Sequence, residues 1–187
     1  YADTYINIGN AFKDQGKLEE AIMAYKKALA IKPRFNEAKH LLSALSGEKT
    51  NSAPREYIES LFDDYANKFD ESLVKNLEYN IPKILTKLAI KKYGNSSLGS
   101  ILDLGCGTGL IGLQIYEFCS YLEGIDVSKR MLEEAKKKNV YDKLSHSDII
   151  EYLSRAKLDF DYFISTDVFI YVGELSEVFR LIKSRNK

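Results

Sequence analysis

The sequence predicts an α/β chain in which a helical hairpin precedes a parallel sheet with helices on its faces. Three observations predict it. Apolar residues recur at helical spacing through the first 35 residues. From residue 98 onward, short apolar runs alternate with amphipathic stretches, the pattern of βαβ units. Where the first such run ends, "ILDLGCGTGLIG" (101–112) sets four glycines within eight residues beside one acid, Asp103.

Composition narrows the classes. At 187 residues the chain has room for one medium domain and a small one. Its 27 Lys and Arg balance 27 Asp and Glu, so no global field draws nucleic acid or an anionic membrane. Cys106 and Cys119 are too few for a disulfide framework. Neither has a second Cys or a His at metal-ligand spacing, so a reduced cytoplasmic protein without a metal is expected. No apolar run reaches the roughly 18 residues that span a bilayer, and no signal-peptide pattern is present. The chain begins at Tyr1, not Met, so residues are expected upstream.

In "YADTYINIGNAFKDQGKLEEAIMAYKKALAIKPRF" (1–35), Tyr5, Ile8 and Phe12 share one helix face. Leu18, Ala21, Ile22, Tyr25, Ala28 and Leu29 mark a second helix. Gly16 breaks the pair and Pro33 ends it. Small residues at Gly9, Ala21 and Ala28 let the two helices approach closely. This stretch resembles a tetratricopeptide repeat, whose pattern falls here on Tyr5, Ile8-Gly9, Phe12, Ala21, Tyr25, Ala28 and Pro33. "NEAKHLLSAL" (36–45) looks like the first helix of a following repeat. About three repeats are usually needed for a continuous core. So further repeats are expected upstream, or this piece docks on the second domain or on another chain. A groove for a protein or peptide partner and a structural appendage are both open readings. The expected boundaries are a repeat and a half over 1–46, a polar linker over 47–56, and a second domain over 57–187. That domain has a helical cap (57–94) and a βαβ core (98–187). Lys83, Lys87, Lys91 and Lys92 in the cap read as a solvated helix face rather than a nucleic-acid patch.

The core elements follow in order. "SILDLG" is a strand, and Leu110 to Phe118 a helix opened by the glycines. "YLEGIDV" is the second strand and "SKRMLEEAKKKN" the second helix. Ser128 caps that helix, and Lys136, Lys137 and Lys138 suit its C-terminal dipole. "KLSHSD" is the third strand, followed by the helix "IIEYLSRA". "FDYFISTDVFIYV" carries the fourth strand and "ELSEVFRLIKS" the last helix.

In such sheets the ligand lies beyond the C-terminal strand ends. Glycines there admit a ligand to bare backbone, and a helix start offers unpaired N–H groups. Three acids stand at strand ends. Asp103 needs a cation or donor, because an unpaired buried carboxylate is costly; a ligand with an ammonium group meets that need. Asp126, about twenty residues past the glycines, is placed for ribose hydroxyls, with helix capping as its alternative. Asp148 accepts from an adenine amino group or caps "IIEYL". A dinucleotide fingerprint is formally present at Gly107, Gly109 and Gly112. Its register is wrong, because the first glycine after the strand is Gly105 and the position five residues on is Leu110.

At "LDLGCGTG" (102–109), "GIDVS" (124–128), "SHSD" (145–148) and "DYFISTDVFIYV" (161–172) the chain resembles the class I S-adenosylmethionine-dependent methyltransferases, over about Tyr57 to the end. With the repeat in front, and "LFDDYANKFDESLVKNLEYNIP" at 61–82, it is similar to the bacterial tetratricopeptide-containing members. The resemblance implies a Rossmann-like sheet, S-adenosyl-L-methionine (SAM) as cofactor and S-adenosyl-L-homocysteine (SAH) as product. It sets Asp103, Gly105, Cys106, Gly107, Gly109, Asp126, Val127, Asp148, Ile149, Asp167 and Val168 against the cofactor. Gly105 and Gly107 line its methionine and ribose portion. Asp126 takes the ribose, Asp148 with the Ile149 backbone the adenine, and Asp103 the amino group through water. Tyr65 and Phe69 cover the methionine end, and Asp167 and Val168 stand nearest the sulfonium. Methyl transfer from a sulfonium asks mainly for alignment and exclusion of water. Where the acceptor needs a base, Asp167 is the candidate catalytic residue, with a strand-end turn or helix cap as its alternative. His40, in the repeat, and His146, read as packing or adenine lining, are not. Cys106 fits close packing in the loop, with nothing to activate it.

The family's sheet has about seven strands and four are read here. The apolar fourth strand is left as an edge, so a C-terminal continuation, or pairing with another chain, is expected. Methyl transfer to a small-molecule or protein acceptor is the reading preferred. A non-catalytic module, pairing the repeat with a cofactor-binding scaffold, is the alternative.

Overall fold

In the first 57 residues, small side chains set how closely the helices pack. The computed structural model describes residues 1–46, 55–93 and 97–187. These form two compact units, Tyr1–Tyr57 and Ile58–Lys187. The linker expected at 47–56 lies outside the described residues except for its last two positions, which are helical. The helix stop expected at Gly94-Asn95 also lies outside them.

The first unit holds α1 (Ala2–Asp14), α2 (Leu18–Ile31) and α3 (Asn36–Ser46). Gly16 makes the turn between α1 and α2 in the left-handed region, φ +74°. The buried stripe of α1 is Ala2, Ile6 and Gly9, not the expected Tyr5, Ile8 and Phe12. Ala21, Ala24 and Ala28 draw α2 close, so the centre of the seam admits only small side chains around Tyr25. Tyr5 and Phe12 pack at its rim, while Ile8 is 39% and Leu18 50% exposed. Tyr25 is fully buried and its hydroxyl donates to Asn10 Oδ1 at 2.8 Å.

In the second unit, α4 (Arg55–Asp70) runs into a π-helical turn over Glu71–Asn76, and α5 (Ile81–Tyr93) follows. The core comprises β1 (Ser100–Leu104), α6 (Gly112–Ile115), β2 (Tyr121–Asp126), α7 (Lys129–Lys138) and β3 (Lys143–His146). It continues with α8 (Ile149–Arg155), β4 (Tyr162–Ile164), α9 (Phe169–Val172) and α10 (Ser176–Arg185). All strand pairs are parallel, in the order β3-β2-β1-β4, with Leu104 opposite Ile125 and Asp103 opposite both Gly124 and Ile164. Successive residues of a strand face opposite ways. Leu102, Leu104 and Ile125 join α8 and α10 in one core, and Ile101 and Leu122 join Ile115 of α6 in another. Both faces are therefore covered, as a parallel sheet requires. The strand order reverses between β1 and β4, and in this architecture ligands bind at the carboxyl ends of the strands at such a switch point. β4 is an edge strand, as expected from four strands read against the seven of the resembled family.

Four elements differ from expectation. The helix predicted from Leu110 starts at Gly112 and tightens into a 3₁₀ turn over Tyr116–Phe118, because the glycine loop extends further. The third strand stops at His146, two residues before Asp148. The segment "FIYV" coils into α9 instead of extending the fourth strand, and the last helix begins at Ser176. Glu123, buried in mid-strand, accepts bonds from Tyr121, Ser145 and Tyr152 and pairs with Lys143 at 2.8 Å. Among the described residues, no helix is long and apolar enough to cross a membrane.

A Cβ at Gly9 would overlap the Tyr25 ring, which has nowhere to move. Overpacking of this kind costs about 1–3 kcal/mol, more than the roughly 1 kcal/mol of helix propensity that Ala gains over Gly. Gly9→Ala is therefore expected to lower the denaturant midpoint of the first unit's helical signal in circular dichroism. An unchanged or raised midpoint contradicts this packing.

Candidate cofactor site

The site grows from the end of β1. After Leu104 the chain turns through Gly105, φ +75°, and the amides of Gly105 and Cys106 both donate to the Ile125 carbonyl at 2.9 Å. The loop is thus tied to β2. The two ends of this glycine loop have different surroundings. A Cβ at Gly105 would fall 2.6 Å from the Val168 methyls, so Val168 packs directly on that residue. At Gly107, φ +52°, a Cβ would meet nothing within 4 Å. Gly107 is the open part of the cradle and Gly105 the packed part.

Asp126 ends β2 and braces the loop. Its Oδ2 accepts from the Gly107 amide (2.9 Å) and its Oδ1 from the Ser128 amide (2.8 Å). Burial raises its pKa, while these two bonds oppose the rise. Val127 offers its carbonyl to His146 Nε2 at 2.7 Å, so His146 joins the ends of β2 and β3. Ser128 Oγ accepts from the Met131 amide and caps α7, as expected from the sequence.

Asp103 is fully buried. Its Oδ2 accepts from the Tyr141 hydroxyl at 2.7 Å, while Oδ1 has no partner among the described residues. Burial pushes its pKa up to about 7. The Tyr141 bond opposes this and the charge of Asp126 adds to it. Cys106 is buried with its sulfur against Gly124, and burial raises its thiol well above the ordinary range. It packs and is not activated.

Asp148 lies past the end of β3, not within it. Its Oδ1 accepts from the amides of Ile150 (2.8 Å) and Glu151 (3.1 Å), so it is the N-cap of α8. Ile149 buries its side chain in the core. Asp167 is exposed and left-handed, φ +57°, a conformation that non-glycine residues rarely adopt. Beside it stands Tyr79, whose pKa is pushed up to about 12 by burial first and then by a hydrogen bond to Asp167. Tyr65 and Phe69 meet edge to face, centroids 5.7 Å apart, and the Tyr65 hydroxyl donates to Ser72.

Sequence reasoning missed how α4 is held. It touches the last residue of β3 and the segments beyond the other three strands. Glu59 lies 3.6 Å from His146 at the end of β3, and the Phe62 ring 5.2 Å from Tyr171 beyond β4. Asp63 accepts from Ser128 Oγ (2.6 Å) and the Arg130 amide (3.2 Å) past β2. Asp70 accepts from Thr108 Oγ1 in the glycine loop and pairs with Lys138 at 2.7 Å. Lys138 also donates to the Thr108 carbonyl at 2.7 Å. So α4 roofs the C-terminal edge of the sheet. The seven-residue spacing of Asp63 and Asp70, which puts both on one helix face, is the signal the sequence held. Tyr79 and Tyr141 carry no such signal. Among the described residues, no group of three or more His, Cys, Asp or Glu is placed to hold a metal ion.

Residues 2–35 match the tetratricopeptide repeat family and residues 95–187 a methyltransferase domain family. A malonyl-(acyl-carrier protein) O-methyltransferase from Bacillus cereus is 29% identical over 122 residues, 64% of this chain and 42% of that protein. The chain spans less than half the length of the curated relatives it matches. Among solved structures, an S-adenosylmethionine-dependent methyltransferase from Clostridium acetobutylicum superposes with a TM-score of 0.55 at 24% identity. That match covers 65% of this chain and 53% of the other. The magnesium protoporphyrin IX methyltransferase of Synechocystis PCC 6803, solved with bound SAM, superposes at 0.57 with 16% identity, covering 71% and 72%. At these identities the likeness speaks for the fold. The chain thus carries a methyltransferase domain of the class I, Rossmann-like fold behind a tetratricopeptide repeat.

Proposed function

We propose that the second unit binds SAM and transfers its methyl group to a small-molecule or protein acceptor, leaving SAH. The observation that carries this reading is the buried carboxylate of Asp103 on β1, one oxygen unpartnered, four residues before the open backbone of Gly107. An unpaired buried carboxylate is costly. A scaffold has no use for it, and an apolar residue there would be more stable. A ligand with an ammonium group supplies the missing partner. Asp126, and Asp103 once a bound cation draws off its proton, also favour a cationic ligand here over a dinucleotide's pyrophosphate.

The residues divide the work as follows. Asp103 holds the amino group, and Gly107 lets the ligand reach bare backbone. Asp126 has two oxygens with lone pairs beyond those given to Gly107 and Ser128, and these accept the ribose hydroxyls. Asp148 caps α8 through Oδ1, leaving Oδ2 for an adenine amino group. SAM supplies, when bound, a methyl already activated on a sulfonium. The protein's part is to align the acceptor and exclude water, and α4 over the strand ends serves both. Asp167 takes the proton where the acceptor is an amine or hydroxyl, a role its hydrogen bond from Tyr79 supports. The repeat in the first unit recruits a protein or peptide partner.

Calorimetric titration with SAH tests the reading. Binding on the order of micromolar is expected, with no response to NAD. Asp126→Ala removes a charged acceptor contributing about 1.5–3 kcal/mol and is expected to weaken binding at least tenfold. A folded wild-type chain that ignores SAH, or an Asp126→Ala variant that binds equally well, contradicts it.

The buried carboxylate also sets a pH signature. Folded, Asp103 keeps its proton to about pH 7; unfolded, it ionises near 3.8. The folded state therefore binds more protons in that window, and stability falls as pH rises through it. The difference amounts to about 4 kcal/mol. Compared with Asp103→Asn, the ligand-free wild type is expected to lose stability between about pH 4 and pH 7 in denaturant titrations. Parallel curves for the two proteins would contradict the assignment.

A further inference from the structure

Building on the SAM reading above, we infer that Tyr141 is a positioning residue: its hydroxyl holds Asp103 by Oδ2 and so commits Oδ1 to the cofactor's ammonium group. The ring is set in a slot made by three glycines from three elements. A Cβ would come within 2.6 Å of it at Gly112, 2.9 Å at Gly124 and 3.0 Å at Gly109. Gly112 opens α6, Gly124 lies in β2 opposite Asp103, and Gly109 closes the cofactor loop. The backbone around Tyr141 is fixed from both sides. Asn139 ends α7 in the left-handed region, φ +52°. Asp142 donates its amide to the Leu122 carbonyl (2.9 Å) and accepts the Leu122 amide at 2.7 Å.

A phenylalanine would fill this slot as well as a tyrosine. The hydroxyl adds one thing, its bond to Asp103. The titratable groups that face Asp103 are Tyr141, Cys106, Asp126 and Tyr79, and no cation is among them. Its strand neighbours, Gly124 and Ile164, offer nothing polar from their side chains. Tyr141 is therefore the one side chain among the described residues that donates to the carboxylate. Without it both oxygens are unpaired, and the acid holds its proton to higher pH.

The test is SAH binding by the full chain, measured calorimetrically from about pH 6 to about pH 8.5, for wild type, Tyr141→Phe, Asp103→Asn and the double variant. Wild-type affinity is expected to fall about tenfold per unit below the pKa of Asp103. In Tyr141→Phe that fall begins about one unit higher, so binding at neutral pH is about tenfold weaker and approaches wild type as pH rises. Asp103→Asn binds weakly at every pH, and adding Tyr141→Phe changes nothing further. A fluorinated tyrosine at position 141 alone keeps the ring and makes the hydroxyl a stronger donor, so it is expected to move the profile to lower pH. This holds the inference to a test even if Tyr141→Phe does not fold. Wild-type binding lost in Asp103→Asn, but with an unchanged or uniformly lowered profile in Tyr141→Phe, overturns the role of Tyr141 and leaves the cofactor reading standing. No binding by a folded wild type overturns both.

Discussion

A carboxylate at the end of an interior strand is a severe constraint on a parallel sheet. Asp103 lies on β1, with β2 and β4 on either side, and no water-facing edge is within its reach. Charge in such a place is disfavoured unless a partner offsets it. Most of the local design follows from that. Gly124 opposite it leaves room for the Tyr141 ring, Tyr141 brings a donor to Oδ2, Oδ1 is left buried without a partner, and the glycine loop that follows β1 has open backbone at Gly107. Asp126, a second acid nearby, is held by two backbone amides that also fix the loop. The result is a sheet end with two carboxyl groups, that of Asp103 fully buried, and open backbone at Gly107, which suits the cationic nucleoside proposed above.

The roof helix obeys a different logic. Its contacts with the strand ends are carboxylates and rings, not an apolar seam. Asp63 extends the N-terminal cap of α7, and Asp70 neutralises Lys138 at the other end of that helix while bonding Thr108. Lys138 thus does more than suit the helix dipole: it ties the roof to the carbonyl of the cofactor loop. Each such contact is worth little alone when partly exposed. Such contacts at the ends of all four strands give the roof a defined position while leaving it easier to open than the sheet is to unfold.

How much of this was legible depended on how local the cause was. The strand–helix alternation, the parallel sheet and the Ser128 cap follow from periodicity and short-range chemistry, while the edge position of β4 came from counting four strands against the seven of the family it resembles. The buried face of α1 did not, because it is decided by which residues of α2 are small: Gly9 and Ile6 win the seam over Ile8 only once Tyr25 is in place. The start of α6 slipped because a glycine-rich loop does not mark where helical geometry begins. Asp103 and Asp126 stood out as acids at apolar strand ends. Tyr141 did not, since its meaning comes from three glycines far apart in the chain. Glu123 reads from sequence as a polar interruption of a strand, and only the fold supplies the tyrosines, Ser145 and Lys143 that satisfy it. Asp148 shows the reverse case: both readings were local, and the capping one is what its Oδ1 does.

The most direct measurement is the structure of this chain crystallised with SAH. The account predicts the ammonium group within hydrogen-bonding reach of Asp103 Oδ1, the ribose hydroxyls on Asp126, and the nucleoside passing over Gly107 beneath α4. A ligand whose amino-acid end lies away from Asp103, or whose ribose leaves Asp126 untouched, would contradict it.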